Sequence, residues 1–336
     1  MQPTTGGSPD PKRLGDIIHS LDTAMRDRVV CALELIASQS LGAEAFRSSV
    51  EHWIKEDESP VTVADVLHQS QLQQLLAWRF GEDGLISEES AEDQERVFAK
   101  AGRISSDLYG IELEQPHHEL PCKGEICWIY DPIDGTKGYL NGRYYAIALG
   151  FFVEGNPLFG AMAVPACIKG SRLRIDHSIA FAIRGLGAWI ARIADFERLA
   201  FRPLHDPLTK RPERIRLAIS LEHSGLNSAQ LDQMEGLELA RLDSQAKYLG
   251  VAAGDIEIYM RKRRDDGRPD QTWDHMPGGL IAQEAGGQVR HFNGHPVSYE
   301  PHEVITFEGG FSCTRPDPNG YLESTVNRLT EWMTRS

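Results

Sequence analysis

The chain has 336 residues, of which 41% are hydrophobic, so it is long enough for one large core or two modest domains. Its net charge of −14 argues against electrostatic binding of a nucleic-acid polymer. No apolar run approaches the ~20 residues of a membrane span, and residues 1–11 lack the apolar segment of a signal peptide. The composition predicts a cytoplasmic protein with no membrane partner, and residues 1–11 read as a disordered tail.

The first half of the chain predicts two helices followed by a β-meander. Helical spacing of apolar residues covers 14–40 and 63–80. Strand-like runs follow at 84–87, 126–130, 144–153, 158–164, 179–183 and 187–193. Because turn residues join several of these runs directly, we expect an antiparallel meander packed on the two helices.

After Phe196 the pattern changes to alternating strands and helices. A strand at 214–220, a helix, a strand at 256–260, a helix at 275–285 and a closing helix at 321–333 indicate a smaller α/β half. The expected organisation is an α+β metal-binding domain over residues 12–200 and a smaller α/β domain over residues 201–336. The connection is expected within residues 201–212, which contain three prolines.

The cysteines and a histidine pair offer no metal site. The five cysteines form no C-x-x-C pair, and we interpret them all as reduced, mostly buried thiols, which is typical of a cytoplasmic protein. They are Cys31, Cys122, Cys127, Cys167 and Cys313. His117 and His118 fall in a Pro-flanked polar segment, which favours a surface loop over metal binding. G-x-S-x-G, H-E-x-x-H and P-loop motifs are all absent from the sequence.

The most informative segment is residues 131–136, Asp-Pro-Ile-Asp-Gly-Thr, directly after the apolar run 126–130. Two carboxylates separated by a Pro-Gly turn can point at one volume, and carboxylate oxygens are the ligands that Mg²⁺ and Mn²⁺ prefer. The alternative is a solvated turn, since Asp, Pro and Gly are common in turns.

Two further acidic segments favour the metal site. Residues 85–87 form a short apolar strand that runs into Glu88 and Glu89, and Asp274 precedes a helix that we expect to end at Gly286 and Gly287. Asp274 has the position of an N-cap, so it could cap the helix or turn towards a cation. If the three segments converge, they could hold paired divalent ions roughly 4 Å apart, which can clamp a phosphoryl group and activate water.

These three motifs, in this order, resemble the lithium-sensitive, magnesium-dependent phosphatases of the inositol monophosphatase superfamily, over about residues 55–287. Residues 59–65, 137–140 and 242–248 are most similar to its 3′(2′),5′-bisphosphate nucleotidases. The Ser-Gln-Ala-Lys pattern of residues 244–247 is the most discriminating, because plain inositol monophosphatases lack it. The resemblance implies a layered α-β-α-β-α sandwich with the site between the two halves.

The resemblance also implies roles for individual residues. Glu88, Asp131 and the Ile133 carbonyl would hold one Mg²⁺, and Asp131, Asp134 and Asp274 a second. A third, weaker ion would rest mainly on Glu88 and water. Asp65 and Thr136 would position and deprotonate the attacking water, and Gly135 and Thr136 would bind the phosphate. Ser244, Lys247 and Arg261 would contact the nucleotide. His223 would lie over its base.

Several of these residues have a second interpretation. Asp65 could simply cap its helix. The basic run at residues 261–264 could be a solvated hairpin tip. Met276 and Pro277 stand where the family has small residues, and the bulk of Met276 could narrow the pocket near the second metal.

The implied activity is Mg²⁺-dependent removal of the 3′-phosphate of adenosine 3′,5′-bisphosphate, or of its 5′-phosphosulfate relative, by a monomer or homodimer. The resemblance further implies that Mn²⁺ can substitute and that Li⁺ inhibits. The alternatives are a phosphatase for inositol phosphates or fructose 1,6-bisphosphate, and a nucleotide sensor without turnover.

Overall fold

The computed structural model describes residues 14–47, 52–55, 60–110, 112–114, 120–166, 171–220, 228–263 and 268–335. The tail predicted for residues 1–11, the His117–His118 pair, Cys167 and His223 lie outside these ranges. Within them, no helix combines the length and apolar content needed to cross a bilayer.

Helices occur in both halves of the described chain. They are α1 Leu14–Ser20, α2 Thr23–Phe46, α3 Val63–Arg79, α4 Ala91–Tyr109, α5 Thr136–Leu140, α6 Ser228–Asp232, α7 Ala246–Ala252, α8 Met276–Glu284 and α9 Glu323–Arg335. Short 3₁₀ turns cover Ile193–Arg198 and Thr272–Asp274.

The strands of the first half are β1 His52–Ile54, β2 Pro60–Thr62, β3 Gly84–Ser87, β4 Ile126–Asp134, β5 Ala146–Val153, β6 Asn156–Val164, β7 Ser178–Ile183, β8 Gly187–Arg192 and β9 Arg202–Pro203. Those of the second half are β10 Ile215–Ile219, β11 Leu237–Arg241, β12 Ile258–Lys262, β13 Asp270–Gln271, β14 Gln288–His291, β15 Val304–Ile305 and β16 Gly310–Thr314.

Strands β3 to β9 form a large sheet in sequence order, and β10, β11, β12, β14 and β16 form a small one. In the large sheet β3 is parallel to β4 and the remaining pairs are antiparallel, so the predicted meander is confirmed. The small sheet has the order β11-β10-β12-β16-β14, with β10 parallel to both of its neighbours.

The two sheets and the helices stack as five layers. Helices α2 and α3 pack on one face of the large sheet, α7 and α8 lie between the two sheets, and α9 packs against the small sheet. The α-β-α-β-α sandwich is therefore confirmed. The large sheet extends to Pro203, and the predicted division into domains at residue 200 stays a prediction.

Helix α8 approaches the large sheet closely because glycines face it. A Cβ atom at Gly150 would lie 2.6 Å from Cε of Met276, and one at Gly160 would lie 3.1 Å from Cα of Pro277. The buried Met276 side chain thus packs against β5. The long side chain of Met276 is therefore buried in the core between α8 and the large sheet.

Hydrogen bonds and ion pairs also join the two halves. The backbone N–H of Arg174, between β6 and β7, donates to Asp255 at 2.7 Å, and its guanidinium pairs with Asp206. The buried Glu257 carboxylate lies 3.2 Å from Arg216 and 3.1 Å from Arg315. Arg315 also lies 3.5 Å from Asp206, so this network of the second half continues to the Arg174 guanidinium of the first half. Glu257 is buried, so removing its arginine partners would leave an unpaired charge.

Two predicted features differ in the structure. The helix predicted at 14–40 is broken before Thr23, where the Asp22 carboxylate accepts a hydrogen bond from the N–H of Met25 at 2.8 Å and caps a new helix. The prediction that all cysteines are reduced is wrong for Cys122 and Cys127, which form a disulfide with a Cα–Cα distance of 5.1 Å.

The disulfide forms because the segment before β4 folds back alongside β3. Gly84 makes this possible, since a Cβ atom there would lie 2.4 Å from Cα of Cys122. Cys31 and Cys313 are buried free thiols, as predicted. Because Cys122 and Cys127 form a disulfide, the cysteines do not support the predicted cytoplasmic location.

Candidate metal centre and active site

The central acidic motif lies on a β-bulge and not after the end of a strand. Strand β4 continues through Asp134, and its register with β5 shifts between Asp131, opposite Ala148, and Asp134, opposite Ala146. Residues three apart on a regular strand face opposite sides, but one extra residue returns the second to the same side. The bulge, and not a turn as predicted, therefore aims both carboxylates at one volume.

Glu88 and Glu89 reach the same edge of the sheet. Strand β3 is parallel to β4 and pairs Ser87 with Tyr130, so the residues that follow the two strands are neighbours. Glu88 lies close enough to Asp131 to raise the pKa of the Asp131 carboxyl. The backbone of Glu89 is fixed by Gln69, which accepts from its N–H at 3.0 Å and donates to its carbonyl at 2.6 Å.

Asp274 enters from the second half of the chain, on the 3₁₀ turn before α8. The prediction that it is the N-cap is wrong, because His275 has that position and Pro277 is in the first turn. The 3₁₀ turn carries the Asp274 carboxylate back towards β4. The helix ends before Gly286, which has φ +91°, as predicted from the glycine pair.

The acidic residues form two adjoining clusters. Oxygens of Asp131, Asp134 and Asp274 lie within 4.8 Å of one another, and so do oxygens of Asp65, Glu88 and Glu89. We call these the aspartate cluster and the glutamate cluster. Glu88 of one cluster raises the pKa of Asp131 in the other, so the two clusters are neighbours. Oδ1 of Asp131 is buried and has no hydrogen-bond partner among the residues that the structure describes.

Burial and mutual repulsion make ionisation of the aspartate cluster costly. The pKa of Asp134 rises to about 6 and that of Asp274 to about 8, while the pKa of Asp131 lies well above its usual value. Burial is the largest cause for each group. Lys247 opposes the rise at Asp134, and Arg261 opposes it at Asp274.

The glutamate cluster contains a built-in positive charge. Lys55 Nζ lies 3.1 Å from Oε1 of Glu88 and 2.8 Å from Oε1 of Glu89, which is fully buried. Burial works to lower the pKa of Lys55, but the two glutamates outweigh it and raise the pKa, so the ammonium stays charged. Burial, with repulsion from Glu88, raises the pKa of Glu89.

Asp65 both belongs to the glutamate cluster and stabilises a helix. Its Oδ2 accepts hydrogen bonds from the N–H of Thr62 at 2.7 Å and from the Thr62 hydroxyl at 2.6 Å, which forms a capping box at the start of α3. Thr62, and not Asp65, is the N-cap. Oδ1 of Asp65 is buried without a partner in the described part of the chain, and burial raises the pKa of this carboxyl to about 7.

Gly135 and Thr136 follow the bulge and begin the short helix α5. Gly135 has φ +86°, and a Cβ atom there would lie 3.1 Å from Cβ of Ser244, so glycine satisfies both the backbone and the space. The Thr136 hydroxyl donates to the Ile133 carbonyl at 3.2 Å. This contact ties two predicted site residues together.

Gln245 connects the Ser-Gln-Ala-Lys segment to the aspartate cluster. Its N–H donates to Oδ2 of Asp134 at 2.6 Å, its side-chain amide donates to the Trp273 carbonyl at 2.7 Å, and its side-chain oxygen accepts from the N–H of Gly278 at 3.1 Å. Gln245 therefore connects Asp134 on the large sheet, through its backbone, to the turn that holds Asp274, through its buried side chain.

The predicted nucleotide-contacting residues have different surroundings. Ser244 Oγ accepts from the N–H of Ala246 at 3.1 Å. Lys247 is buried, donates to the Leu242 carbonyl at 3.3 Å, and burial lowers its pKa to about 8. Arg261 is largely buried and pairs with Asp270 at 2.9 Å. Their part in substrate binding stays a prediction.

A model of the inositol monophosphatase family matches residues 25–313. The chain belongs to this family. The segment matched contains every carboxylate of both clusters, so the resemblance predicted from the three motifs is confirmed.

Curated relatives of this inositol monophosphatase family chain are named bisphosphate nucleotidases. The 3′(2′),5′-bisphosphate nucleotidase of Emericella nidulans is 28% identical, over 85% of this chain and 93% of its own length. The 3′,5′-bisphosphate nucleotidase 2 of Arabidopsis thaliana is 26% identical, over 88% of this chain and 92% of its own.

Solved structures share the fold at low sequence identity. An IMPase of Thermotoga maritima has a TM-score of 0.64 and 18% identity, covering 92% of this chain and 98% of its own. CysQ of Bacteroides thetaiotaomicron has a TM-score of 0.55 and 17% identity, covering 86% of this chain and 97% of its own.

The donor set of this family member fits hard divalent cations. All the side-chain donors of the aspartate cluster are carboxylate oxygens, which suit Mg²⁺ and Mn²⁺ and not soft metals. The partnerless Oδ1 of Asp131 and the raised carboxyl pKa values indicate negative charge that the protein alone leaves uncompensated. A cation in this cluster would relieve both.

Three residues in the site were not singled out from the sequence. Lys55 marks only the start of the recognisable segment, and Gln69 looks like any polar residue of an amphipathic helix. Gln245 was visible as part of the discriminating pattern. Its role as a bridge depends on hydrogen bonds between segments more than 25 residues apart along the chain.

Proposed function

We propose that the chain is a Mg²⁺-dependent phosphomonoesterase that removes the 3′-phosphate of adenosine 3′,5′-bisphosphate. Family membership supports phosphate-ester hydrolysis, and the names of the curated relatives support a bisphosphorylated nucleotide as substrate. We also propose that the 5′-phosphosulfate form of the nucleotide is accepted.

One observation supports this proposal most directly. The segment that distinguishes nucleotidases within the family donates its Gln245 N–H to Asp134, a member of the aspartate cluster. A nucleotide held by residues 244–247 would therefore have a phosphate close to the carboxylates. In this proposal the 2.6 Å hydrogen bond would connect the segment that binds the nucleotide to the carboxylates that act on its phosphate.

The groups that would hold the ions are carboxylates of the two clusters and one backbone carbonyl. Asp131, Asp134 and Asp274 would hold one Mg²⁺, and Glu88, Asp131 and the Ile133 carbonyl would hold the other. Bound Mg²⁺ supplies charge neutralisation for the phosphoryl oxygens and activation of water. The protein fixes the ligands beforehand, through the bulge in β4 and the Gln245 bridge.

Asp65 is the group best suited to accept a proton from water. Water oxygen attacks phosphorus as the P–O3′ bond breaks, the water proton passes to Oδ1 of Asp65, and the departing 3′-oxygen takes a proton from solvent. The products are adenosine 5′-phosphate and inorganic phosphate. A pKa of about 7 and a buried, partnerless oxygen suit Asp65 to this role. Thr136 would position the water.

A substrate panel tests the proposal. Phosphate release with Mg²⁺ should be fastest with adenosine 3′,5′-bisphosphate, slower with inositol 1-phosphate or fructose 1,6-bisphosphate, and absent in EDTA. Chromatography should identify adenosine 5′-phosphate as the product. Equal or faster turnover of inositol 1-phosphate would reject the nucleotide as the preferred substrate.

The same panel decides between turnover and sensing. A nucleotide sensor would bind adenosine 3′,5′-bisphosphate in calorimetry without releasing phosphate. The intact aspartate cluster favours turnover, and so does Oδ1 of Asp65, which has no partner among the described residues, because a sensor needs neither a paired-metal ligand set nor a base.

A further inference from the structure

The backbone of Glu89 is held by a glutamine side chain and not by the sheet. The pairing of β3 with β4 ends at Ser87, so Glu89 lies beyond this ladder of hydrogen bonds although it is buried. Gln69 of α3 takes the place of a neighbouring strand, because its side-chain oxygen accepts from the Glu89 N–H at 3.0 Å and its amide donates to the Glu89 carbonyl at 2.6 Å. Gln69 is itself fully buried, so solvent does not compete for these two hydrogen bonds.

The helix that carries Gln69 also carries Asp65. The two residues lie four positions apart on α3, so they share one face of the helix. The capping box with Thr62 fixes Asp65 at the start of α3. One helix therefore holds Asp65 directly and Glu89 through Gln69, and it sets the spacing of the glutamate cluster, whose oxygens lie within 4.8 Å of one another.

The charges of the glutamate cluster oppose this close spacing. Burial, and after it repulsion from Glu88, raises the pKa of both Asp65 and Glu89. Oδ1 of Asp65 and Oε2 of Glu89 are buried and have no hydrogen-bond partner in the described part of the chain. Because repulsion favours moving these carboxylates apart, their separation depends on how firmly the backbones that carry them are held.

We propose that Gln69 is a positioning residue of the phosphatase: its amide clamps the Glu89 backbone and so holds Glu88 and Glu89 at the distance from Asp65 that cation binding and water activation require. The inference rests on the proposed function and adds a residue to it. Gln69 acts through the two glutamates and not by contact with the cation, as outer residues do when they orient the ligands of a metal.

A second glutamine of α3 provides a matched control. Gln74 donates to the Glu112 carbonyl at 3.1 Å and accepts from the Glu114 N–H at 3.0 Å, so it also clamps a backbone segment from a buried position. Neither Glu112 nor Glu114 belongs to an acidic cluster among the residues that the structure describes. Met keeps the length of a glutamine side chain and removes both hydrogen bonds. Both substitutions should therefore lower stability, but only Gln69→Met should disturb the glutamate cluster.

Mn²⁺ affinity and steady-state kinetics test the inference together. Metal-free protein is titrated with Mn²⁺, and unbound Mn²⁺ is measured by electron paramagnetic resonance. kcat and KM for adenosine 3′,5′-bisphosphate are measured at saturating Mg²⁺, and circular dichroism checks the fold. We expect Gln69→Met to weaken Mn²⁺ binding and to lower kcat, each about 10- to 100-fold, with KM within about threefold of the wild type. Gln74→Met should keep the wild-type Mn²⁺ affinity and kcat while its melting temperature falls.

The outcomes separate this inference from the proposed function. Wild-type Mn²⁺ affinity and kcat in a folded Gln69→Met variant, or an equal loss in Gln74→Met, would overturn the role of Gln69. If Gln69→Met does not fold, Gln69→Asn decides, because its shorter side chain cannot keep both hydrogen bonds to Glu89: weaker Mn²⁺ binding supports the role, and unchanged binding rejects it. A wild-type chain that binds Mn²⁺ but releases no phosphate from the nucleotide would reject the proposed function, and the Mn²⁺ affinity of Gln69→Met would still decide the role of Gln69.

Discussion

Removing the carboxylate of Asp274 should stabilise the protein when metals are absent. In EDTA the aspartate cluster has no divalent ion, so burial and the neighbouring Asp134 and Glu88 make an ionised Asp274 unfavourable. Asn keeps the shape of the side chain and removes the charge. Asp274→Asn should therefore raise the free energy of unfolding of the metal-free protein, although it should weaken metal binding.

The size of this effect follows from the pKa of Asp274, about 8 in the folded protein. Against an unfolded value of about 3.9, four pKa units correspond to at most about 5 kcal/mol at pH 8. Part of the Asp274 side chain is exposed and Arg261 lies nearby, so solvent and pairing reduce the penalty. We expect a gain of about 2 kcal/mol, or a melting temperature higher by roughly 4 °C.

The dependence on pH has a definite sign. A carboxyl group whose pKa is raised by folding contributes stability at low pH and loses it as the pH rises through the folded pKa, here about 7 for Asp65 and about 8 for Asp274. His68 and His275, whose pKa values burial lowers to about 4, act in the opposite direction below about pH 6.5. Lys247, with a pKa of about 8, opposes the carboxyl groups above pH 8.

The informative window is therefore pH 6.5 to 8. Melting by circular dichroism in EDTA should show wild-type stability falling across it and a smaller fall for Asp274→Asn. The exposed Asp107→Asn should match the wild type. With Mg²⁺ the wild type should gain more than the variant. A lower melting temperature for metal-free Asp274→Asn at pH 8 would refute the reasoning.

Three further outcomes concern the metal centre. Asp134→Asn should lower turnover by at least about 100-fold, because it removes a proposed metal ligand. The fold should be retained, because the Asn side chain can still accept the hydrogen bond from the Gln245 N–H. Near-normal phosphate release would exclude the paired-ion arrangement. Millimolar Li⁺ should inhibit phosphate release by occupying one cation position, and unchanged rates would indicate a differently built site. Gln245→Ala should lower the free energy of unfolding measured in urea by about 2–4 kcal/mol, since it leaves the Trp273 carbonyl and the Gly278 N–H unpaired. It should also weaken Mn²⁺ binding, with the exposed Gln230→Ala as its control. Wild-type Mn²⁺ affinity of Gln245→Ala would contradict the bridging role of Gln245.

Elements with strong local signals could be predicted from the sequence. The ends of β5 to β8 were predicted to within two residues, because continuous apolar runs and turn residues mark them clearly. The end of α8 followed from its glycine pair. By contrast, α4 (Ala91–Tyr109) was not predicted, since it presents mostly charged and polar residues and few buried apolar ones.

Features that depend on tertiary context were harder to predict. The bulge at residues 131–134 has no periodicity of its own, so β4 was expected to end at Tyr130. The 3₁₀ turn before α8 displaced Asp274 from the expected N-cap position. The hydrogen bonds of Gln245 and the ion pairs of Lys55 join segments that the sequence alone does not bring together.

The carboxylates of the aspartate cluster come from both halves of the molecule, and only the docking of those halves brings them together. Breaking the hydrogen bond between the Arg174 N–H and Asp255, which joins the two halves, should therefore weaken cation affinity before any loss of secondary structure. Metal affinity would therefore measure how completely the two halves are docked. A chain whose halves are not docked should have no phosphatase activity.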